Sequence, residues 1–376
     1  MSMIAVAEMR SVEELAKIRM SWKLLWEKAR DASFSQSWEW MRSYCHLFGQ
    51  DMELRTLIAT LNAKPIGIVP FVLRPVKTKL GVANVLTWPL EDWGLSYGAI
   101  GPNPAATLTA AMRHIRSSRD WNALELAGID ESGTDRGRTR NALKNCGIDP
   151  VESAKCQHPM ISLDGSWDWY LEEQGPDSRM NLARAEREVS QHGPVTFHRW
   201  RPMGGRIGET ERRWDLFHIC EELHRDKAAN NRRTNAELQF IKDLHPVAVD
   251  AGAVDIGTLT INGRPVACSY GHVHNGILDV QFVQPVDTIG APATELLIGN
   301  LVRDSFMRGD RRITFRREYA RAATSWTNAA MTTVTLSHVP KLSPRGQLLK
   351  FGRRSERNLA PAAASSMQSM RVHSGS

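Results

Sequence analysis

The sequence has few cysteines and no long apolar run, and both deficits exclude common classes of protein. Its 376 residues include only five cysteines, an odd number without a C-x-x-C pair, which argues against a disulfide framework and a structural zinc site. No segment approaches the roughly 18 uninterrupted apolar residues that a membrane-spanning helix needs. The first ten residues lack the apolar core of a signal peptide. We therefore expect a cytoplasmic protein without a transmembrane segment.

A metal-ligand pattern is also missing. Twelve histidines are present, but only His272 and His274 lie at strand spacing on one face, and no third ligand is near them in sequence. We predict no metal site.

Positive charge is unevenly distributed. The net charge is +7, yet residues 337–376 contain seven Lys/Arg and one Glu, which leaves the rest of the chain near +1. A near-neutral body argues against a specific nucleic-acid partner, whereas the basic tail could touch anionic surfaces or simply solvate a chain end.

The length suits two domains, and the hydrophobic fraction of 42% suits a soluble globular core. Apolar residues recur at spacings of three and four in some segments and alternate in others, which predicts helices and strands in turn. Helices are predicted over 11–30, 34–48, 105–117, 167–170, 177–192, 214–229, 236–244 and 293–308. Strands are predicted over 54–61, 66–73, 80–90, 95–100, 123–126, 195–199, 254–261, 266–274, 278–283, 312–315 and 332–336, and the first unit is expected to close near 156–163.

Two strand–turn–strand segments match at an offset of 200 residues. Residues 61–67 read Leu-Asn-Ala-Lys-Pro-Ile-Gly and residues 261–267 read Ile-Asn-Gly-Arg-Pro-Val-Ala. A hairpin turn explains either copy alone. The same turn at the same place in two similar series of elements favours an internal duplication over two unrelated hairpins.

These turns belong to an ordered series of segments that resembles a known superfamily. The series includes 34–40, the Asn62 turn, 179–184, Leu223-His224, the Asn262 turn, 290–294, 313–315 and Trp326. It resembles the cellulose-biosynthesis-associated (CelD-type) branch of the GNAT acetyltransferases, which are related to the Fem-type aminoacyltransferases. The resemblance implies a mixed α/β (α+β) fold of two tandem GNAT-like domains, each a twisted sheet flanked by helices. We expect domains at 1–160 and 161–340 and a largely disordered tail at 341–376.

The resemblance also implies a donor site for acetyl-CoA or another acyl-CoA. The donor would lie along the strand that includes Asp279, Gln281 and Val283. Its pyrophosphate would lie at the start of the next helix, where small residues let backbone N–H groups approach phosphate. The residues concerned are Gly290, Ala291, Ala293 and Thr294. An ordinary Pro/Gly loop before an ordinary helix is the alternative.

Candidates for the acceptor and the catalytic groups follow from the same likeness. Arg179, Asn181 and Arg184 could hold an anionic or saccharide acceptor, although Glu186 and Glu188 make ordinary intrahelical pairs equally reasonable. His224 and Asp279 are the catalytic candidates. A histidine titrates near neutral pH and so suits general-base chemistry, but a structural histidine is the alternative for His224.

The sequence departs from the family in one segment. Where the family has an Asp-Phe-x-x-Gly segment and a Tyr-Lys pair, this chain has Thr314-Phe-Arg-Arg-Glu318 and Ala322-Ala323. Tyr319 is a candidate for a displaced phenol. Three functions therefore stay open: acyl transfer to an amine or hydroxyl of a small molecule or saccharide, aminoacyl transfer from a charged tRNA, and a degenerate pair acting as a scaffold in polysaccharide biosynthesis.

Overall fold

The computed structural model describes residues 4–29, 31–90, 94–118, 120–153, 155–203, 211–228, 232–286 and 289–349. The predicted Ala/Ser-rich end from Leu359 onward lies outside these residues.

The first half begins with a strand and a group of helices, continues with three antiparallel strands, and returns through a crossover helix to a further strand. Pro104 occupies the first turn of that crossover helix, where its fixed φ and missing N–H are tolerated. The elements are β1 (Ile4–Met9), α1 (Val12–Lys17), α2 (Arg19–Lys28), α3 (Trp38–Phe48), β2 (Glu53–Leu61), β3 (Lys64–Thr78), β4 (Gly81–Thr87), α4 (Pro104–Ser117), β5 (Ala123–Asp130), α5 (Arg138–Asn145), β6 (Val151–Glu152) and β7 (Cys156–Ser162).

The second half repeats this order after two additional helices. Its crossover helix ends at Gly309, which takes a left-handed conformation with φ 71°. The elements are α6 (Trp167–Glu173), α7 (Pro176–Ser190), β8 (Val195–Trp200), α8 (Trp214–Ala228), α9 (Arg232–Asp250), β9 (Val254–Ile261), β10 (Arg264–His274), β11 (Ile277–Pro285), α10 (Gly290–Arg308), β12 (Arg312–Phe315), α11 (Ala320–Ala323) and β13 (Ala329–His338).

One continuous sheet joins the two halves. Its strand order is β1-β2-β3-β4-β5-β13-β7-β12-β11-β10-β9-β8, with β6 beside β13. β4 runs parallel to β5, and β11 runs parallel to β12. At the centre, β13 from the chain's second half pairs with β5, and β7 from the first half pairs with β12. Each half therefore completes its sheet with a strand of the other.

The repeated hairpins have the same local geometry. Asn62 and Ala63 have φ of 49° and 62°, and Asn262 and Gly263 have φ of 51° and 76°. Positive φ at both central residues identifies the two-residue turn that matches the twist of paired strands. A bulge follows each turn, at Ile66 in β3 and at Val266 in β10. The shared turn and bulge, 200 residues apart, support the predicted duplication.

The structure corrects some predicted elements. The segment 95–100 was expected to be a strand, but it is irregular and makes a single bridge between Ile100 and Ile68. The helix predicted over 11–30 is interrupted at Ile18. The helix predicted over 236–244 runs from Arg232 to Asp250 and includes Pro246. The short helix α5 had no counterpart in the prediction.

Candidate functional site

The strands β11 and β12 form an open wedge in the second half. Their parallel register ends where Val280 pairs with Phe315, so the next residues of β11 have no strand partner on this side among the described residues. Gln281 is also a bulge, because Phe282 pairs with Tyr270 and Val280 with Gly271 on β10. A bulge leaves a residue outside the regular ladder, which makes its backbone available to a ligand.

The corresponding wedge in the first half is filled by its own chain. β4 and β5 are in register from Val85 to Thr87, and beyond that point the N–H of Tyr97 donates to the carbonyl of Gly128 at 2.9 Å. Leu95 is buried in the same segment. The irregular segment 94–100 therefore occupies the edge of β5 that the wedge would otherwise expose.

A cavity of about 280 Å³ lies where α10 begins beside α7. Asn181 and Arg184 of α7 line it together with Ala291 and Glu295 of α10. The Arg184 guanidinium donates to the Asn181 side-chain oxygen at 3.1 Å. Burial raises the pKa of Glu295, whose carboxylate accepts a hydrogen bond from Ser325. The structure thus places two predicted acceptor residues next to a predicted donor residue, at the positive end of a long helix.

The remaining predicted donor residues lie in the first turn of α10 and on β11, where they offer a ligand mainly backbone groups. Gly290 starts α10 with φ 44°, and Ala293 is fully buried. The hydroxyl of Thr294 donates to the carbonyl of Gly290 at 3.1 Å, so its proton is already used within the helix. Val283 packs in the core beneath the wedge. Arg179 lies outside the cavity and pairs with Glu172 at 3.5 Å.

Asp279 lies in a row of buried polar side chains on three adjacent strands. It is opposite His272 of β10 and opposite Thr314 of β12, so the three side chains share one face. Both ring nitrogens of His272 and the hydroxyl of Thr314 are buried without a hydrogen-bond partner. Burial raises the pKa of Asp279 to about 6, and Asp130 adds to this shift while Arg312 opposes it. Buried polar groups without partners are rare, so this row is a candidate reaction centre.

His224 of α8 lies beside Phe282 and Gln284 of β11. Its ring stacks on Phe282 at 4.8 Å, and its Nδ1 accepts from the Gln284 amide at 3.3 Å. Burial, together with the nearby charge of Arg316, lowers the pKa of His224 to about 4. The ring is therefore neutral at pH 7 and carries its proton on Nε2, which makes it a hydrogen-bond donor rather than an effective base.

Arg316, which the sequence did not indicate, and Tyr319 lie close to the wedge. Arg316 forms a buried ion pair with Glu237 of α9, and its guanidinium donates to the carbonyl of Gln281 at 3.4 Å. The hydroxyl of Tyr319 lies 3.5 Å from the Gln284 amide nitrogen, and burial raises its pKa. The displaced phenol considered from the sequence thus lies beside the His224–Gln284 pair.

The first half supplies a further histidine to this face of the sheet. His158 of β7 is within hydrogen-bond distance of the Thr333 hydroxyl at 3.2 Å, and its Nδ1 is buried without a partner. Burial, together with the nearby charges of Arg317 and Arg316, lowers the pKa of His158 to about 4. Because β7 pairs with β12, the exchanged strand brings this side chain towards the row that includes Asp279.

Neither a metal cluster nor a membrane helix is found in the described part of the chain. No three His, Cys, Asp or Glu side chains lie close enough together to hold a metal ion there. None of the helices described combines the length and the apolar character that crossing a bilayer requires.

Comparison with known proteins agrees with this architecture. The chain is similar to a conserved protein of unknown function from Bacteroides thetaiotaomicron, with 12% identity, a TM-score of 0.53, and coverage of 89% of this chain and 100% of the other. It is also similar to FemX, with 8% identity, a TM-score of 0.58, and coverage of 89% and 97%. No curated protein matches the sequence. Residues 176–321 match the family model described as an acetyltransferase (GNAT) domain, and that segment includes α10 and both strands of the open wedge. Residues 176–321 are thus similar to an acetyltransferase (GNAT) domain, and the chain has a mixed α/β fold like that of FemX.

Proposed function

We propose that the protein transfers an acyl group from acetyl-CoA or another acyl-CoA to an amine or hydroxyl acceptor. The open wedge between β11 and β12, which leads to the start of α10, is the observation that carries this proposal. The acyl-pantetheine arm would lie along the free edge of β11. The pyrophosphate would lie at the first turn of α10, near Arg184. A saccharide or envelope precursor, as in the CelD-type branch, is the first acceptor class to test.

The reaction requires a base that deprotonates the acceptor and a group that stabilises negative charge on the thioester carbonyl oxygen. The Asp279 carboxylate would take the proton of the acceptor amine or hydroxyl, because a pKa of about 6 leaves it ionised yet basic at pH 7. The acceptor would then form a bond to the thioester carbonyl carbon, the carbon–sulfur bond would break, and the departing CoA thiolate would take up the proton held by Asp279. The backbone around the Gln281 bulge would polarise the carbonyl oxygen.

Donor binding can be tested with two matched variants. Ala291 is exposed in the first turn of α10, and Ala105 is exposed in the first turn of α4. Ala291→Glu places a carboxylate at the proposed pyrophosphate site, whereas Ala105→Glu places one at the start of the other crossover helix. We expect calorimetric binding of acetyl-CoA to be lost in Ala291→Glu and kept in Ala105→Glu. Equal loss in both variants, or none in either, would contradict the assignment.

One observation favours a second candidate, a degenerate GNAT pair that serves as a scaffold in polysaccharide biosynthesis. Arg316 occupies the mouth of the wedge and already bonds to the carbonyl of Gln281. The Glu295 carboxylate also lies in the cavity that would receive phosphate. A folded protein that gives no heat with acetyl-CoA at any accessible concentration would favour this scaffold over the enzyme.

A further inference from the structure

Apolar side chains are exposed at two turns, one between β3 and β4 and the other after β13. Leu80 is 55% exposed in the turn between β3 and β4, and Val82 at the start of β4 is 46% exposed. Leu342 is 97% exposed in the turn that follows β13. A leucine with almost its whole side chain in water buries no apolar area, so its presence in a turn is not explained by folding.

The two turns lie against each other. The Arg345 guanidinium donates to the carbonyl of Val82 at 3.2 Å. Asn122 connects the same segments, since its amide group donates to the Ser343 hydroxyl at 3.3 Å and accepts from the N–H of Asn84 at 2.8 Å. The residues 77–82 and 341–345 therefore form one surface, which we call the basic hairpin face.

All of the charge on the basic hairpin face is positive. Lys77, Lys79, Lys341 and Arg345 are exposed, and none of them forms an ion pair within the described part of the chain. Residues 75–84 and 338–349 contain no Asp or Glu. The sequence then continues from this face with Lys350, Arg353, Arg354 and Arg357 against a single acid, Glu356.

We propose that the basic hairpin face docks onto the surface of a bilayer that contains anionic phospholipid. Each Lys or Arg near an anionic membrane surface contributes roughly 1 kcal/mol to the binding free energy. Neighbouring apolar side chains enter the boundary between headgroups and acyl chains. The combination of Leu80 and Leu342 with four unpaired cations fits this partner by both charge and polarity. A nucleic acid would use the cations but leave the leucines in water. The proposal does not depend on acyl transfer.

Vesicle flotation of the full chain tests the proposal. We expect the protein to float with phosphatidylcholine vesicles that contain phosphatidylglycerol, and not with phosphatidylcholine vesicles alone. Lys77→Glu with Lys79→Glu should lower the partition coefficient roughly a hundredfold or more, because it replaces two attractive charges by repulsive ones. Leu80→Ser with Leu342→Ser should lower it about tenfold or more through lost apolar burial.

Two control variants separate this face from other surfaces. Met20→Ser with Leu24→Ser removes exposed apolar side chains from α2, where they are 66% and 52% exposed, and should leave flotation unchanged. Arg353→Gln with Arg354→Gln tests the chain beyond the face and should weaken binding without abolishing it. Binding that is lost only in the tail variant would overturn the proposal. Retention on RNA together with insensitivity to Leu80→Ser and Leu342→Ser would overturn it in favour of a nucleic acid.

Discussion

Asp279 illustrates the conflict between stability and function at a single residue. Its side chain is 9% exposed and its pKa is raised to about 6, against an ordinary value of 3.8, mainly by burial. A raised carboxyl pKa means that ionisation costs the folded state free energy. That cost is absent below about pH 4 and fully present above about pH 6.

Replacement of Asp279 by Asn should therefore stabilise the protein at neutral pH. The shift corresponds to roughly 2–3 kcal/mol, so Asp279→Asn is expected to raise the free energy of unfolding at pH 7.5 by about 2 kcal/mol. At pH 4 the gain should disappear. Urea unfolding at both values checks this, and a loss of stability at pH 7.5 would contradict it.

The same residue should determine the pH dependence of acyl transfer. The base must be ionised, so kcat/KM should be constant above about pH 6 and fall tenfold for each pH unit below it. Asp279→Asn should lower kcat by about a hundredfold or more and remove this dependence. His224→Gln should keep the wild-type pH profile, because the His224 ring is neutral over this range. A profile that follows His224 instead would exchange the two roles.

The candidate site was only partly predictable from sequence at the residue scale. The resemblance implied Asn181 and Arg184 through the segment 179–184, and it implied Asp279 as part of the strand assigned to the donor. It did not indicate that Asn181 and Arg184 share one cavity with Ala291, since that contact depends on how α7 packs against α10. The Arg316–Glu237 pair joins residues 79 positions apart, and no local pattern reports such a contact.

The two hairpins allow a reciprocal test at the scale of the element. Ala63 has φ 62° in the first turn, where a side chain costs roughly 1 kcal/mol, while Gly263 has φ 76° at the equivalent place in the second. Ala63→Gly should raise the free energy of unfolding by about 0.5–1 kcal/mol, and Gly263→Ala should lower it by about the same amount. Thermal unfolding of both variants checks this.

A change of the same sign in both hairpin variants would contradict the equivalence of the turns. Space does not interfere in the second turn, because a β-carbon at Gly263 meets no atom within 4 Å. The difference between the two variants therefore measures the free-energy cost of a side chain at positive φ.

Elements with a regular apolar pattern were predictable, and their arrangement was not. The segments of β2 and β9 are rich in apolar residues, and each ends at an Asn turn. Their predicted bounds therefore agree with the structure to within one residue. The segment 95–100 has the composition of a strand, yet the chain uses it to fill the wedge between β4 and β5. The exchange of β7 and β13 depends on pairing between distant residues, for which a single sequence has no signal.

At the scale of the whole molecule, buried histidines should make the protein sensitive to mild acid. Burial lowers the pKa of His158, His224, His245 and His274 to about 4 and that of His272 to about 3. Their ordinary value is near 6.5, so between about pH 6 and 4.5 the unfolded chain binds protons that the folded chain does not. Stability must then fall as the pH falls.

The steepness of this loss follows from the number of protons. Five histidines take up protons on unfolding near pH 5, whereas Asp279, Asp135 and Glu295 oppose them because their pKa values are raised, so a net uptake of several protons makes stability fall steeply as the pH falls. Urea midpoints should therefore be nearly constant from pH 8 to 7 and fall sharply below pH 6.

His272→Asn should reduce the proton uptake on unfolding by about one, because the ring it removes is fully buried without a partner. A flat midpoint between pH 7 and 5 would mean that these histidines reach water in the folded protein.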